Sequence, residues 1–178
     1  MNTSGKKIVI IGATSAIAEH CARLWAAQSP AQFILVGRDD SKMEWVASDL
    51  RVRSPHTQVE SVVAHFTDPG KIHAVADQIY RTGPVDIVLI AHGILPDQQQ
   101  CQKSLDECSE ALEINGISPV LFAEVFAGYM EKFDRGTLAI IGSVAGDRGR
   151  KSNYVYGAAK GLITRYAQGL QHRLARTG

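Results

Sequence analysis

Short apolar runs rich in β-branched residues recur at Lys7–Ile11, Gln32–Val36, Gln58–Ala64, Val85–Ala91 and Thr137–Gly142. They are continuous and not alternating, the pattern of strands covered on both faces. Between them lie stretches long enough for helices: Ser15–Gln28, Ser41–Arg53, Asp68–Arg81, Leu105–Phe133 and Asn153–Arg176. Ile17, Cys21, Leu24 and Ala27 recur at helical spacing and predict the inner face of the first helix. Leu162, Tyr166, Leu170 and Leu174 do the same for the last. Strands alternating with helices predict an α/β fold on a parallel sheet. Neither a repeat nor a low-complexity linker interrupts the alternation, so residues 1–178 read as one domain.

Composition narrows the partners. Nineteen Lys and Arg against eighteen Asp and Glu leave a net charge of +1, so no global field draws the chain to nucleic acid or to an anionic membrane. No run approaches the roughly 18 apolar residues of a membrane span, and Gly12 cuts Ile8–Ile11 too short for a signal peptide. Cys21, Cys101 and Cys108 are odd in number and widely spaced, which suits reduced thiols in a cytoplasmic protein better than a disulfide framework. The six histidines fall in no ligand spacing, so no metal is expected.

The first strand runs into Gly12-Ala13-Thr14-Ser15-Ala16-Ile17-Ala18 and then a helix, the context of a dinucleotide-binding turn. Free N–H groups and the dipole of a helix N-terminus stabilise a pyrophosphate, and small residues let it come close. With one glycine in the string, a plain turn capped by Ser15 fits as well. The second strand ends Gly37-Arg38-Asp39. An Arg here accommodates the 2′-phosphate of NADP and a carboxylate the 2′-hydroxyl of NAD, so Arg38 favours NADP while Asp39 keeps NAD as the alternative. Tyr156 and Lys160 stand four apart in the last helix, which sets phenol and ammonium on one face. A tyrosine titrates near 10, and a neighbouring ammonium favours its phenolate. Ser143, thirteen residues upstream, ends the fifth strand, where this architecture binds ligands.

These features together resemble the short-chain dehydrogenase/reductase superfamily of NAD(P)-dependent oxidoreductases. Gly12–Ala18 is similar to its TGxxxGxG cofactor turn, Ala91-His92-Gly93 to the end of its NNAG motif, and Ser143, Tyr156 and Lys160 to its catalytic residues. Asn115 matches a fourth catalytic position that supports a water-linked proton relay. The resemblance implies a Rossmann-like doubly wound sheet in strand order 3-2-1-4-5, with hydride moving between nicotinamide and a carbonyl or alcohol carbon. It also implies proton donation by Tyr156, ribose binding and phenolate stabilisation by Lys160, and oxygen positioning by Ser143. The implied cofactor residues are Gly12, Thr14, Ser15, Ile17, Arg38, Asp68, Ala91, Gly93, Tyr156 and Lys160.

Ala16 and Ala18 replace glycines of the family turn, Ile90 and Ala91 replace two asparagines, and His65 stands where the family often has the adenine-contacting Asp. Asp68 or the backbone beside it is the substitute candidate. These losses motivate an alternative, a non-catalytic NADP-binding regulatory protein of the same fold, and beyond it a structural oligomer element. The sequence ends at Arg176-Thr177-Gly178, where a sixth strand is expected, so the fold reads as C-terminally incomplete. A homo-oligomer is expected, because Ala111, Ile114, Leu121 and Val125 exceed the apolar surface one sheet face needs. Asp147–Tyr154 carries Arg148, Arg150 and Lys151 against one carboxylate, and the surrounding stretch Ala145–Tyr156 resembles reductases acting on the keto-pentose of polyprenyl-phosphate sugars. It points to a small ketone or alcohol substrate bearing a phosphate or other anionic group.

Overall fold

A computed structural model describes residues 5–175. Five parallel strands lie in the order β3-β2-β1-β4-β5: β1 Lys7–Ile11, β2 Gln32–Gly37, β3 Gln58–Val63, β4 Ile87–Ile90 and β5 Thr137–Ile140. The doubly wound sheet and its strand order are those the sequence predicts. In the central strand Ile8 and Ile10 face one side and Val9 and Ile11 the other, and all four are buried. That is why β1 reads as a continuous apolar run. The outer strands are less covered: Val63 at the end of β3 is 56% exposed, and β5 is only partly buried.

Two helices cover one face, α1 Ala16–Gln28 and α2 Asp40–Arg53, packing with Phe33, Leu35 and Met43. The other face carries α3 Pro69–Tyr80, α6 Ser118–Phe133 and α7 Tyr154–Leu174. Phe122 and Phe126 of α6 are fully buried there, each contributing about 1.5–3 kcal/mol. Two short helices, α4 Gln98–Lys103 and α5 Leu105–Leu112, precede α6.

Several expectations are corrected. The inner face of α1 is Ala18, Ala22 and Ala26, whereas Ile17 is 53% and Leu24 65% exposed. Methyl groups there let the helix approach the sheet more closely than branched chains would. Leu162 is 44% exposed, and the buried stripe of α7 includes Val155, Ala159, Ile163 and Leu170. The expected end of that helix at Arg176 lies outside the described residues, as do Thr177 and Gly178.

The single helix expected over Leu105–Phe133 contains a π-turn at Glu113–Ile117, where Ser118 N–H reaches back five residues to Glu113 O. Pro119 has no N–H for the Asn115 carbonyl, and Asn115 Nδ2 takes the Ala111 carbonyl instead (2.9 Å). Leu105–Phe133 is also long and apolar enough to cross a membrane by length and composition, but 56% of its most apolar window is buried inside the protein. Ala111 and Ile114 belong to the interior of this chain, so the surplus apolar surface expected from them is not there.

Candidate active site

The carboxyl ends of the strands hold nearly all the residues singled out above. Gly12 follows β1 with φ +81°, a conformation that favours glycine, and a Cβ there would sit 2.6 Å from the backbone N of His92. Ser15 caps α1, accepting from Ala18 N–H (3.2 Å), which leaves the amides of Ala16 and Ile17 without a partner among the described residues. Ala18, at a family glycine position, is fully buried against the sheet, and its methyl is absorbed by the core.

A cavity of about 230 Å³ opens beside this turn, lined by Thr14, Ser15, Arg38, Lys42, His92 and Gly93 among others. A second of about 420 Å³ shares Arg38, Phe66 and Ile114 with it. Asp39 caps α2 through Lys42 N–H (3.1 Å), and its carboxylate lies 3.6 Å from Lys42 Nζ. The carboxylate at this strand end is thus engaged locally, and Asp39 lines the cavity together with Arg38 and Lys42. Lys42 carried no signal in the sequence beyond a charge three residues after a capping Asp. Unpartnered amides at a capped helix N-terminus beside two cations fit the pyrophosphate and phosphate groups of a dinucleotide.

Asp68 has a different task from the adenine contact expected of it: it caps α3 by accepting from Lys71 N–H (3.0 Å) and lines neither cavity. Its neighbours His65, Phe66 and Thr67 line the second cavity instead. Ile17 projects outward, and Ala91 is buried in the core.

His92 is the residue that sequence reasoning passed over. Its Nε2 is 2.9 Å from Ser118 Oγ, and its ring packs edge-on to Phe66 at 4.7 Å and to Phe122 at 5.6 Å. Nδ1 is buried with no hydrogen-bond partner, although the residue as a whole keeps some exposure. Burial first, then the charges of Lys160 and Arg38, push its pKa down to about 3. The imidazole is therefore neutral and ties the β4 end to α6 and to the loop after β3.

The four expected catalytic residues gather through short connections. Ser143 begins a one-turn 3₁₀ helix, Val144–Gly146, and its Oγ accepts from Ala145 N–H (3.2 Å). That turn lies directly on α7: a Cβ on Gly157 would be 2.7 Å from Ala145 O, and one on Gly146 would be 2.7 Å from the Lys160 carbonyl carbon. Lys160 is 3% exposed; Nζ donates to Ile141 O (3.0 Å) and stands 5.8 Å from the Tyr156 ring centre. Desolvation holds its pKa below the ordinary lysine value. Asn115, fully buried in the π-turn, accepts from Ile94 N–H (2.9 Å) and so anchors the irregular segment following Gly93. A Cβ at Gly93 would meet Asn115 Oδ1 at 2.9 Å and Lys160 Nζ at 3.8 Å.

Of the loop cations, Arg148 and Arg150 are exposed and line none of the cavities described. Lys151 lines a third cavity, of about 920 Å³, with Lys103, Asp97 and Gln98 across from it. Among the described residues no three His, Cys, Asp or Glu side chains gather as a metal site.

A doubly wound parallel sheet with a capped glycine turn at its first crossover and a Tyr-Lys pair on its last helix defines the class of dinucleotide-binding α/β proteins. Within it, this chain belongs to the short chain dehydrogenase family, whose model matches residues 6–178. An oxidoreductase of Mycobacterium tuberculosis is 31% identical over 183 aligned positions, covering 99% of this chain and 70% of that protein. One from Streptomyces coelicolor is 27% identical over 173 positions, covering 97% and 68%. In structure, a short-chain dehydrogenase from Sphingobium yanoikuyae in complex with NADPH superimposes with a TM-score of 0.85 at 25% identity, covering 96% of this chain and 66% of that one. The bulky-bulky ketone specific alcohol dehydrogenase from Comamonas testosteroni gives 0.88 at 23% identity, covering 99% and 70%.

Proposed function

We propose that this chain is an NADP-dependent oxidoreductase that interconverts a ketone and its alcohol, with Tyr156 as general acid and base. The observation that carries the reading is Lys160: a buried ammonium with one hydrogen-bond acceptor, beside the Tyr156 ring, on the turn of α7 that packs against Gly146, three residues after Ser143. In the reductive direction Tyr156 gives its proton to the carbonyl oxygen, and Lys160 opposes the charge left on the phenolate. The Ser143 hydroxyl donates to the same oxygen and holds it in line. Bound NADPH supplies the hydride. NADP is favoured over NAD because two cations, Arg38 and Lys42, line the cleft against one carboxylate, Asp39, which is already engaged by Lys42 N–H and Nζ. Three free cysteines suit the reducing cytoplasm.

NADPH consumption across a panel of ketones, paired with NADPH fluorescence binding, tests the reading. Binding with turnover of at least one ketone is expected. Binding with none would favour the non-catalytic regulatory protein that Ala16 and Ala18 suggest.

The anionic-substrate reading rests on Lys103 and Lys151 in the third cavity. Reversing both to Glu is expected to raise KM for a phosphorylated ketone and leave kcat on a small neutral one unchanged. A homo-oligomer remains part of the proposal, supported by Leu121 and Val125 on a groove between α3 and α6; light scattering of a monomer alone would remove it.

A further inference from the structure

Helix α7 starts without a cap of its own. Asn153, the residue before it, makes no side-chain hydrogen bond to the first turn. The amides of such a turn need acceptors from elsewhere. One comes from 57 residues upstream: Gln98 Oε1 accepts from Val155 N–H at 3.0 Å. Both partners are buried, Gln98 at 8% and Val155 at 6% exposure. Gln98 is the first residue of α4, and that helix is itself fixed by Asp97, which accepts from Gln99 N–H (2.7 Å) and Gln100 N–H (3.3 Å). Cys101, one turn further along α4, packs with Ala111 and Val155 in a small separate core. The amide end of Gln98 has no partner: Nε2 is buried and unbonded. A buried donor left unmet opposes folding.

Val155 is the neighbour of Tyr156. We propose that Gln98 is a positioning residue that caps α7 from across the fold and thereby sets the azimuth of the helix turn carrying Tyr156. This rests on the reading of Tyr156 as the proton donor. Gln98 also lines the third cavity, so its action through α7 is read from Val155 exchange and from kcat on a small neutral ketone. Displacements of about 1 Å in a reacting group cost on the order of 10²-fold in rate, so a loosened first turn reads out in kcat.

The test compares Gln98→Leu, which removes the acceptor and keeps the bulk, with Gln98→Glu, which keeps an oxygen acceptor and removes the unbonded N–H₂. Three measurements are made on the full chain: amide hydrogen exchange at Val155, NADPH binding by fluorescence, and kcat and KM on the best small neutral ketone of the panel. For Gln98→Leu, Val155 exchange is expected to speed at least tenfold and kcat to fall about tenfold or more, with NADPH affinity within twofold. Gln98→Glu is expected to restore exchange and kcat to within about threefold. Unchanged Val155 exchange in Gln98→Leu would overturn the proposal, as would a Glu variant as impaired as the Leu variant. So would NADPH binding lost in step with kcat, which would mark a general loss of fold. If the wild-type chain turns over no ketone, the functional reading falls, and Val155 exchange alone still decides whether Gln98 holds the helix.

Discussion

Two lysines are buried among the described residues, Lys7 at 6% and Lys160 at 3% exposure, and they sit at opposite ends of the sheet. Lys7 opens β1. Its Nζ donates to Ile79 O (2.6 Å), Thr82 Oγ1 (2.8 Å) and Gly83 O (3.2 Å). Burial lowers its pKa while Glu60 and Asp86 pull the other way. Lys160 is lowered by burial alone and has one acceptor, Ile141 O. An ammonium carries three donors. At the amino end of the sheet all three are used within the protein, so Lys7 closes a loop; at the carboxyl end one is used, by Ile141 O, which fits the ligand-facing role proposed for Lys160. The two buried cations differ in that coordination, which neither burial nor residue type reveals.

The sharpest way to break this contrast is to replace each lysine by Met. For Lys160→Met, turnover is expected to fall about 10²- to 10⁴-fold, with no loss of Tm, because a desolvated charge with one partner is removed. Since its folded pKa lies below the ordinary 10.5, the charged form costs stability at neutral pH, and that cost fades as pH rises toward 10.5. The Tm advantage of the Met variant should therefore narrow in alkali. Lys7→Met is expected to do the reverse, costing about 1–3 kcal/mol of stability through orphaned acceptors while leaving kcat within about twofold. Denaturant unfolding and steady-state kinetics on both variants check the pair; equal losses of activity would dissolve the contrast.

His92 extends the comparison to a neutral group within the fields of Lys160 and Arg38. With its pKa pushed from 6.5 down to about 3, the unfolded chain binds a proton that the folded chain refuses across that window. Stability should fall as pH drops through it, with a contribution of up to about 1.4 kcal/mol per pH unit. His92→Asn is expected to be less stable at pH 7, through lost ring packing, yet to have a shallower acid slope. Equal slopes in the two proteins would place the imidazole in water.

A smaller effect is expected at the far end of the cleft. Arg38→Asp should shift the ratio of kcat/KM for NADPH over NADH by about tenfold or more toward NADH, by removing a phosphate partner and adding like charge. An unchanged ratio would assign the selection to Lys42 or to neither.

The parts of this molecule that were legible in the sequence are those whose signal is local. β1 and β2 read as strands because they are covered on both faces, and Tyr156 and Lys160 share a face because four residues make one helical turn. What the sequence hid depends on distant partners. α4 is a Gln-rich helix with one buried apolar side chain, Cys101, and it forms around a cap and a contact to α7, so no periodicity announces it. The π-turn follows from the joint action of Asn115 and Pro119. Ile17 and Leu24 follow the helical period but point outward, since the close approach of α1 admits only alanine. Asp68 and Asp39 carry charges that read as ligand contacts and serve as helix caps.

The central claim is that Tyr156, assisted by Lys160, moves the proton of a carbonyl reduction. It is tested most directly by NADPH oxidation on the best ketone substrate with wild type and Tyr156→Phe, alongside NADPH fluorescence titration of both. The account predicts a fall in kcat of about 10²- to 10⁴-fold in the variant, with NADPH affinity within a few-fold, because only the phenolic O–H has been removed. Turnover retained in Tyr156→Phe would contradict it.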